Sequence, residues 1–405
     1  MESLKELYKI GAGPSSSHTL APQRACLLFK QAYPNAVSYE VDLYGSLSLT
    51  GQGHFTDKVI VETLSPKPVR VNFKDFWAES FPNGLEIKGY DLNSNLIKNW
   101  IVYSLGGGSI EVKGMDFAFQ KQIYNETSFA EIEDFCLKNN LFIDEYPFYY
   151  ENDLEGHLKK VIEQMLETVS NGLNKEGLLP GRLKIERIAK QLYLRALASP
   201  YEEQDKVLLY AYAYSASEEN ADGGVCVTAP TLGACGVLAA IVYYYYYQKR
   251  IPKHKINKAL AVAGIFGNLI KRNASISGAV GGCQAEIGTA CAMAAAFTAY
   301  LEGLSVKQIE YAAEIGIEHH LGLTCDPVGG YVIIPCIERN AVATLRAVDA
   351  ALLSKHVGMI RENRIRFDNV VSTMNYTGQK IPMELKETSL GGLALEIDLS
   401  EKGER

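Results

Sequence analysis

The second half of the chain is rich in small residues at helical spacing, and this pattern constrains the fold more than any other. Residues 259–270, 288–301 and 342–353 carry Ala and Gly at close intervals. Small side chains let helix axes approach closely in a buried bundle. Runs of β-branched residues are few from about Leu154 onward. We therefore expect an all-α helical domain over residues 153–405.

The first part of the chain has a different pattern, in which short strand-like runs alternate with Gly, Pro and Asn. These runs occupy residues 38–46, 85–90 and 100–105. Helices are expected after the capping hydroxyls of residues 15–17 and over residues 129–138. Because 405 residues are more than one ordinary core holds, the sequence predicts two domains, with an α+β domain over residues 1–152.

Charge and hydropathy narrow the classes of partner. The net charge of −7 argues against a nucleic acid, since phosphate binding needs clustered Lys and Arg. The start of the chain lacks a basic segment followed by an apolar core, so we expect a cytoplasmic protein. Residues 227–247 carry no charge, but Pro230 and Gly233 interrupt them. A buried helix is therefore favoured over a membrane span, and no membrane partner is expected.

Three of the eight cysteines lie in polar, glycine-rich settings that are atypical of a core thiol. Cys283 lies in Gly-Gly-Cys-Gln-Ala-Glu, Cys325 in Gly-Leu-Thr-Cys-Asp-Pro, and Cys336 in Ile-Pro-Cys-Ile-Glu-Arg-Asn. Three thiolates from separate turns can bind three irons of a four-iron cluster and leave the fourth open to a substrate oxygen. These cysteines are the candidate ligands.

The spacing of these cysteines leaves other interpretations open. It matches no short ferredoxin or zinc signature, and on spacing alone core thiols are favoured. Zinc bound by the three cysteines and His319 or His320 is a further alternative. The other cysteines are interpreted as non-ligands, namely Cys26, Cys136, Cys226, Cys235 and Cys291.

The motifs around the three cysteines resemble those of the iron-sulfur-dependent L-serine dehydratases, also called L-serine ammonia-lyases. The similar motifs are Asn-Ala-Ser-Ile-Ser-Gly at 273–278, Glu-Ile-Gly-Ile-Glu-His at 314–319, Leu-Gly-Leu-Thr-Cys-Asp-Pro at 321–327 and Pro-Cys-Ile-Glu-Arg-Asn at 335–340. Two more extend the resemblance to nearly the whole chain: Ile-Gly-Ala-Gly-Pro-Ser-Ser-Ser-His-Thr at 10–19 and Glu-Thr-Ser-Leu-Gly-Gly at 387–392. The resemblance is to the single-chain form of the family, which carries both family domains.

The resemblance implies a cofactor, a reaction and an assembly. It implies that Cys283, Cys325 and Cys336 bind a [4Fe-4S] cluster, whose open iron acts as a Lewis acid on the substrate hydroxyl. The implied reaction converts L-serine to pyruvate and ammonia without pyridoxal. The family also implies a homodimer, and an N-terminal domain similar to regulatory substrate-binding domains.

Two histidines are the candidate bases for removing the α-proton of the substrate. His18 follows Gly-Pro-Ser-Ser-Ser at an expected helix start, where backbone N–H groups and hydroxyls can bind a carboxylate. His54 lies in a loop whose glycines leave its ring accessible. Without the resemblance, a capped helix start and a surface loop are the simpler interpretations. With it, both histidines are expected to face the cluster across the domain interface.

A set of polar residues is predicted to bind the carboxylate and ammonium of a small zwitterion. Arg339 has two interpretations, since its guanidinium could bind the carboxylate or pair with Glu338 to brace the turn. For Asn220 and Lys271 the structural alternatives are a helix cap and a solvated surface lysine. The predicted substrate-binding residues are Ser16, Ser17, Thr19, Asn220, Thr228, Thr231, Lys271, Asn273 and Arg339.

Three departures from the family pattern affect the expected site. His320 stands where the family has asparagine, and Ala12 is an extra residue in the N-terminal glycine turn. No cysteine follows Cys336, whereas some relatives end in a cysteine able to bind the fourth iron. We therefore expect an open iron that carries water or a small anion.

Two other functions remain as alternatives from sequence. A pyridoxal-phosphate lyase would use Lys271 as its Schiff-base lysine and Leu-Gly-Gly-Gly-Ser at 105–109 as a phosphate loop. A non-catalytic amino-acid sensor would bind serine in the N-terminal domain and signal through the helical one. The sequence does not rank serine against threonine, since one methyl group is a modest energetic difference.

Overall fold

The computed structural model describes residues 1–397, apart from residues 52, 80, 118 and 120. A sheet of five strands has the order β3-β2-β4-β5-β6, and a separate pair joins β1 to β7. Among the described residues, the β2–β3 pair of this sheet is parallel and the other pairs are antiparallel. The strands are β1 (Ile10–Ala12), β2 (Ser38–Gly45), β3 (Val69–Phe73), β4 (Asn83–Tyr90), β5 (Leu96–Gly106), β6 (Ser109–Val112) and β7 (Val225–Val227).

Helices cover one face of the sheet and form almost all of the later chain. Those before residue 152 are α1 (Ala21–Ala32), α2 (Ser46–Thr50), α3 (Thr56–Leu64), α4 (Phe129–Asn139) and α5 (Tyr146–Tyr150). The later ones are α6 (Leu154–Asn174), α7 (Ala189–Ala198), α8 (Tyr201–Ala221), α9 (Cys235–Tyr247), α10 (Lys253–Asn273), α11 (Gly278–Gly281), α12 (Thr289–Leu301), α13 (Val306–Glu318), α14 (Cys336–Val357) and α15 (Phe367–Lys380).

The buried apolar side chains of the five-stranded sheet that the structure describes form a core on one face. Val41 of β2 pairs with Val71 of β3 on one side and with Ile87 of β4 on the other. Side chains alternate between the two faces of a strand, so these apolar residues share the face that packs on α1 and α3. Phe29 of α1 is fully buried there and contacts Trp100 edge to face. This layer supports the segment between β2 and α3, which carries His54.

Helix α12 lies at the centre of the helical part. It contacts α9, α10, α13 and α14, and its residues 289–299 are all buried. The close approach depends on small residues: a Cβ added at Gly316 of α13 would lie 3.0 Å from the Cα of Ala292. Dense packing of this kind leaves little room for rearrangement. The bundle is therefore a firm base for the loops that precede α12 and α14.

The first residues of the chain tie the sheet to the bundle. Leu4, Leu7 and Tyr8 are buried in the helical core, and the Tyr8 hydroxyl donates to the carbonyl oxygen of Leu260 at 2.9 Å. Strand β1 then pairs antiparallel with β7, with Gly11 opposite Cys226. This pairing brings the turn that leads to His18 beside the loop between β7 and α9.

The fold class and most of the elements predicted from sequence are confirmed. An α/β region with a sheet precedes a mostly helical region, and residues 227–247 form the end of β7, a loop and the buried helix α9. The boundary at residue 152 stays a prediction, because α4 and α5 pack into the same hydrophobic core as the later helices. Among the described residues, none of the helices combines the length and apolar character that a membrane crossing needs.

Candidate active site

The three candidate cysteines come together at one cavity. Cys283 precedes a turn of π-helix, Gln284–Gly288, that leads into α12. Cys325 lies in the loop between α13 and α14, and Cys336 is the first residue of α14. All three line the same cavity. Elements far apart in sequence therefore place three thiols around one space, as the motif pattern predicts.

A carboxylate that was not predicted joins these thiols. One potential ligand atom from each of Cys283, Glu286 and Cys325 lies within 4.8 Å of the other two. A Cβ added at Gly278 would lie 3.0 Å from Oε2 of Glu286, so glycine keeps the space beside this carboxylate. Burial, and the negative charge of Cys283, raise the pKa of Glu286 well above its usual value. The available sequence signal was its position three residues after Cys283.

The pKa values of the three thiols are shifted in different directions. A hydrogen bond with Cys325 and the positive charge of Arg339 outweigh burial and lower the pKa of Cys283 to about 7. The same hydrogen bond, together with burial, raises the pKa of Cys325, and burial raises the pKa of Cys336. Cys283 is therefore the thiol that ionises most readily.

Arg339 braces the Cys325 turn. Its Nη1 donates to the carbonyl oxygen of Thr324 at 2.7 Å, and its Nη2 lies 3.6 Å from Oδ1 of Asp326. The ion pair expected with Glu338 is thus made with Asp326 instead. The structure gives Arg339 a bracing role beside Cys283, while its binding of substrate stays a prediction.

The two candidate histidines lie together beside this cavity. Their ring centroids are 4.3 Å apart, and both side chains are buried. His54 lines the cavity with the cysteines, whereas His18 is not among the described residues that line it. Nδ1 of His18 lies 2.8 Å from Oγ of Ser17. The N-terminal turn and the loop before α3 therefore bring both histidines to the cysteine site.

Glu387, a second carboxylate missed from sequence, completes the histidine cluster. Its Oε1 accepts a hydrogen bond from Ser17 at 2.9 Å and lies 3.3 Å from Nδ1 of His18. Burial opposes its ionisation, but the charge of His18 and a hydrogen bond with it lower the pKa of Glu387 to about 2. Burial and the charge of His18 lower the pKa of His54 well below its usual value. The sequence signal was the 387–392 motif, to which no role was assigned.

Several predicted substrate-binding hydroxyls are used to hold the site together. Ser16 accepts from the backbone N–H of Leu232 at 3.3 Å. Thr19 donates to the carbonyl oxygen of His54 at 2.8 Å, and Thr228 donates to that of Leu7 at 2.6 Å. Thr231 differs, because its Oγ1 is buried with no hydrogen-bond partner in the described part of the chain.

The side-chain oxygen of Asn220 is a hydrogen-bond acceptor without a partner among the described residues. Its Nδ2 donates to the carbonyl oxygen of Pro14 at 2.7 Å, while Oδ1 is buried with no hydrogen-bond partner in the described part of the chain. A Cβ at Gly13 would clash with the Asn220 backbone oxygen, so this turn requires glycine. Asn220 thus fixes the turn that leads to His18 and keeps one acceptor available.

Lys271 and Asn273 lie apart from the cysteine cavity. Lys271 donates to Glu2 at 2.6 Å and to Ser109 at 3.0 Å, and it lines a different cavity of about 440 Å³. Asn273 donates to the carbonyl oxygen of Thr127 at 2.7 Å. The structure gives both residues contacts between segments, and it does not bring them together with the cysteines.

The histidines of the zinc alternative also bind elsewhere. His320 Nδ1 lies 2.7 Å from the carbonyl oxygen of Gly316, and burial lowers the pKa of His320 to about 4. His319 Nδ1 lies 3.0 Å from the carbonyl oxygen of Ile315. Among the described residues that line the cysteine cavity, neither histidine is present.

Comparisons with known proteins agree on one family. Residues 3–76 match the family described as serine dehydratase beta chain, and residues 57–394 match serine dehydratase alpha chain. L-serine dehydratase 2 of Escherichia coli is 36% identical over 454 aligned positions, gaps included, and these span 98% of this chain and 99% of that protein. An L-serine dehydratase of Helicobacter pylori is 36% identical over 97% of this chain and 98% of its own length. An L-serine dehydratase of Streptomyces coelicolor is 36% identical over 98% and 99%, respectively. The chain therefore belongs to the serine dehydratase family and carries the alpha-chain and beta-chain parts in one polypeptide.

Proposed function

We propose that this protein is an L-serine ammonia-lyase that dehydrates L-serine to aminoacrylate, which becomes pyruvate and ammonia. The observation that carries the proposal is one cavity lined by Cys283, Cys325, Cys336 and His54. Full-length relatives named L-serine dehydratase support the choice of substrate. The reaction needs a base for the α-proton and an acceptor for a poor leaving group, and this cavity offers groups for both.

The donor set at the cavity fits a [4Fe-4S] cluster. Thiolates are the soft ligands that iron-sulfur clusters prefer, and Cys283 is poised to ionise because its pKa is lowered to about 7. Cys283, Cys325 and Cys336 would bind three irons, and no fourth cysteine lines the cavity among the described residues. When bound, such a cluster supplies a Lewis acid for the departing hydroxide.

His54 is the residue proposed to take the α-proton. Burial keeps it neutral, and only a neutral imidazole can accept a proton. Its backbone is fixed by the hydrogen bond from Thr19, which holds the ring at the cavity. The resulting enamine tautomerises to an imine that water hydrolyses without further help from the protein.

Substrate positioning is proposed for Asn220, which contacts Pro14 of the cavity lining. The free Oδ1 of Asn220 is an acceptor suited to the substrate ammonium group. Burial of this side chain excludes bulk water, which strengthens its electrostatic contact with the substrate.

The test is analysis of protein purified without oxygen. We expect iron and acid-labile sulfide in the protein, and pyruvate release on addition of L-serine. Serine deamination at full rate by protein free of sulfide-bridged iron would contradict the cluster. Tight serine binding with no pyruvate in a single turnover would instead favour the non-catalytic sensor.

A pair of cysteine variants tests whether the cluster is bound at this cavity. Cys283→Ser should lose both iron and turnover, because serine is a poor ligand for iron in a cluster. Cys136→Ser is the matched control, since Cys136 lies on α4 and outside the cavity lining. Equal iron content in the two variants would contradict the proposed ligand set.

A further inference from the structure

Ser17 and Ser46, whose hydroxyl groups lie beside His18, each donate a hydrogen bond to Glu387. Ser17 Oγ lies 2.9 Å from Oε1 of Glu387, and Ser46 Oγ lies 2.8 Å from the backbone oxygen of Glu387. An ionised carboxylate and a carbonyl oxygen can only accept hydrogen bonds. Each hydroxyl has a single proton, so both serines donate that proton to Glu387.

His18 contacts these same two hydroxyl oxygens through its two ring nitrogens. Nδ1 lies 2.8 Å from Ser17 Oγ, and Nε2 lies 3.0 Å from Ser46 Oγ. Because each serine gives its proton to Glu387, each oxygen can only accept from the imidazole. Both ring nitrogens must therefore carry a proton, which makes His18 an imidazolium.

We propose that Glu387 is a positioning residue that holds His18 in its doubly protonated form, so that His54 alone can act as the proton acceptor. The part concerning the acceptor rests on the proposed dehydratase function. Glu387 receives both serine hydroxyls and lies 3.3 Å from Nδ1 of His18. It thus enforces the protonation of His18 by hydrogen bonding as well as by charge.

Hydrogen-bond donors and acceptors assign the tautomer of His54 in the same way. Thr50 Oγ1 donates to the carbonyl oxygen of Ser46 at 2.9 Å, so it must accept from Nδ1 of His54, 3.1 Å away. His54 therefore carries its proton on Nδ1. Its Nε2 has no hydrogen-bond partner within the described ranges and is the nitrogen with a free lone pair. Since His54 lines the cysteine cavity, that lone pair is available to a substrate.

The charges around the pair are consistent with one cationic and one neutral histidine. Glu387 faces His18, and Asn83 Nδ2 donates to its other oxygen, Oε2, at 3.4 Å. No Lys or Arg side chain forms an ion pair with Glu387 among the described residues. The remaining titratable groups nearby are His54, Glu286 and the cysteines of the cavity. Without a cation at His18, Glu387 would be a buried anion with no ion-pair partner among the described residues.

The direct test is neutron diffraction from crystals of deuterated holoenzyme at neutral pH. We expect deuterium on Nδ1 and Nε2 of His18, and on Nδ1 only of His54. A single deuteron on the His18 ring, or two on that of His54, would overturn the proposal. This readout does not depend on turnover. If the enzyme releases no pyruvate, the proposed function fails while the deuterium pattern still decides the role of Glu387.

Substitution of Glu387 adds a kinetic test. Glu387→Gln removes the negative charge. Asn83 Nδ2 donates to Oε2, so the amide oxygen of the glutamine should take that place and its NH₂ group should face Ser17, which is then free to donate to His18. His18 should therefore retain one deuteron, and kcat should fall by about 10²-fold or more with a smaller change in KM. Glu384→Gln is the matched control, because Glu384 is exposed on the same segment. A Glu387→Gln enzyme with the kcat and pH profile of the control, and with His18 still doubly deuterated, would rule out the proposed role.

Discussion

Two carboxylates at this site differ in how readily they ionise because their neighbours differ. Glu387 contacts Ser17 and His18, whose hydrogen bonds and positive charge lower its pKa to about 2 despite burial. Glu286 lies against cysteine sulfur, and burial keeps its pKa well above the usual value. Glu387 therefore ionises more readily than an ordinary glutamate, and Glu286 less readily. Environment, not residue type, sets the role of each.

The lowered pKa of His54 predicts the acid limb of the pH profile. A base works only when unprotonated, and burial with the charge of His18 moves the pKa of His54 below 6.5. We expect kcat/KM to stay level as the pH falls through 6.5 and to decline only at lower pH. Steady-state rates between pH 4.5 and 8, with circular dichroism to verify folding, give the measurement. An acid limb at or above pH 6.5 would argue against His54 as base.

Removal of the imidazole of His54 should act mainly on turnover. We expect His54→Gln to lower kcat by about 10²- to 10⁴-fold, the usual contribution of a general base, with little change in KM. His254→Gln, at an exposed position of α10, should leave both constants unchanged. Similar kcat values for the two variants would show that another group takes the proton.

At the level of elements, the site depends on irregular turns at the ends of regular helices. His18 and Glu286 each lie in a turn of π-helix, Ser16–Leu20 before α1 and Gln284–Gly288 before α12. A π-turn changes the direction of side chains relative to an α-helix and is frequent at functional sites. Helix propensity predicts that a helix begins near Ser15, but it does not predict the wider turn that orients His18.

The closest helix packing should be sensitive to a single methyl group. Gly316→Ala places a Cβ 3.0 Å from the Cα of Ala292, and a backbone atom cannot move aside as a side chain can. We expect a loss of about 1–3 kcal/mol in the free energy of unfolding. Urea denaturation provides the measurement. Gly156→Ala is the control, because no atom lies within 4 Å of its Cβ; an equal stability of the two variants would mean that α12 and α13 are not tightly packed here.

At the scale of the whole molecule, an ion-pair cluster joins the sheet to the bundle. Glu6 belongs to the N-terminal segment that packs on the helices, and its carboxylate accepts from both Nη atoms of Arg24 in α1, at 2.8 and 3.0 Å. Lys9 lies 3.3 Å from the same carboxylate. His18 and the cysteines belong to these two different parts, so this junction helps to keep the site assembled.

The junction predicts how stability depends on pH. Burial opposes the charge of Glu6, but Arg24 and Lys9 lower its pKa from 4.5 to about 2. Since the folded pKa is the lower one, the stabilisation is present above pH 4.5 and is lost as the pH falls toward 2. We expect Glu6→Gln to cost about 3 kcal/mol at neutral pH, and the difference from the parent protein to shrink below pH 4.5.

Equilibrium unfolding at several pH values measures this difference. The exposed Glu62→Gln is the matched control and should leave the free energy of unfolding nearly unchanged. Equal stability of the two variants at pH 7, or a difference that grows as the pH falls, would contradict the assigned role of Glu6.

Local patterns in the sequence were sufficient for the class of fold and for part of the site. Ala and Gly spacing predicted helices such as α12, and the polar, glycine-rich settings singled out Cys283, Cys325 and Cys336. The family motifs pointed to His18 and His54. These features depend on residues within a few positions of one another, which is the range over which helical and strand periodicity act.

Only the tertiary structure decided which groups meet. Glu387 lies 370 positions from Ser17, yet the two are hydrogen-bonded, and this contact depends on how the C-terminal segment crosses the N-terminal turn. Lys271 and Asn273 were predicted to bind substrate because they precede Cys283 in sequence. In the structure they lie at the end of α10, where Lys271 donates to Glu2 and Asn273 to the carbonyl oxygen of Thr127. Nearness along the chain does not determine nearness in space, because packing of the bundle sets the direction in which each helix ends.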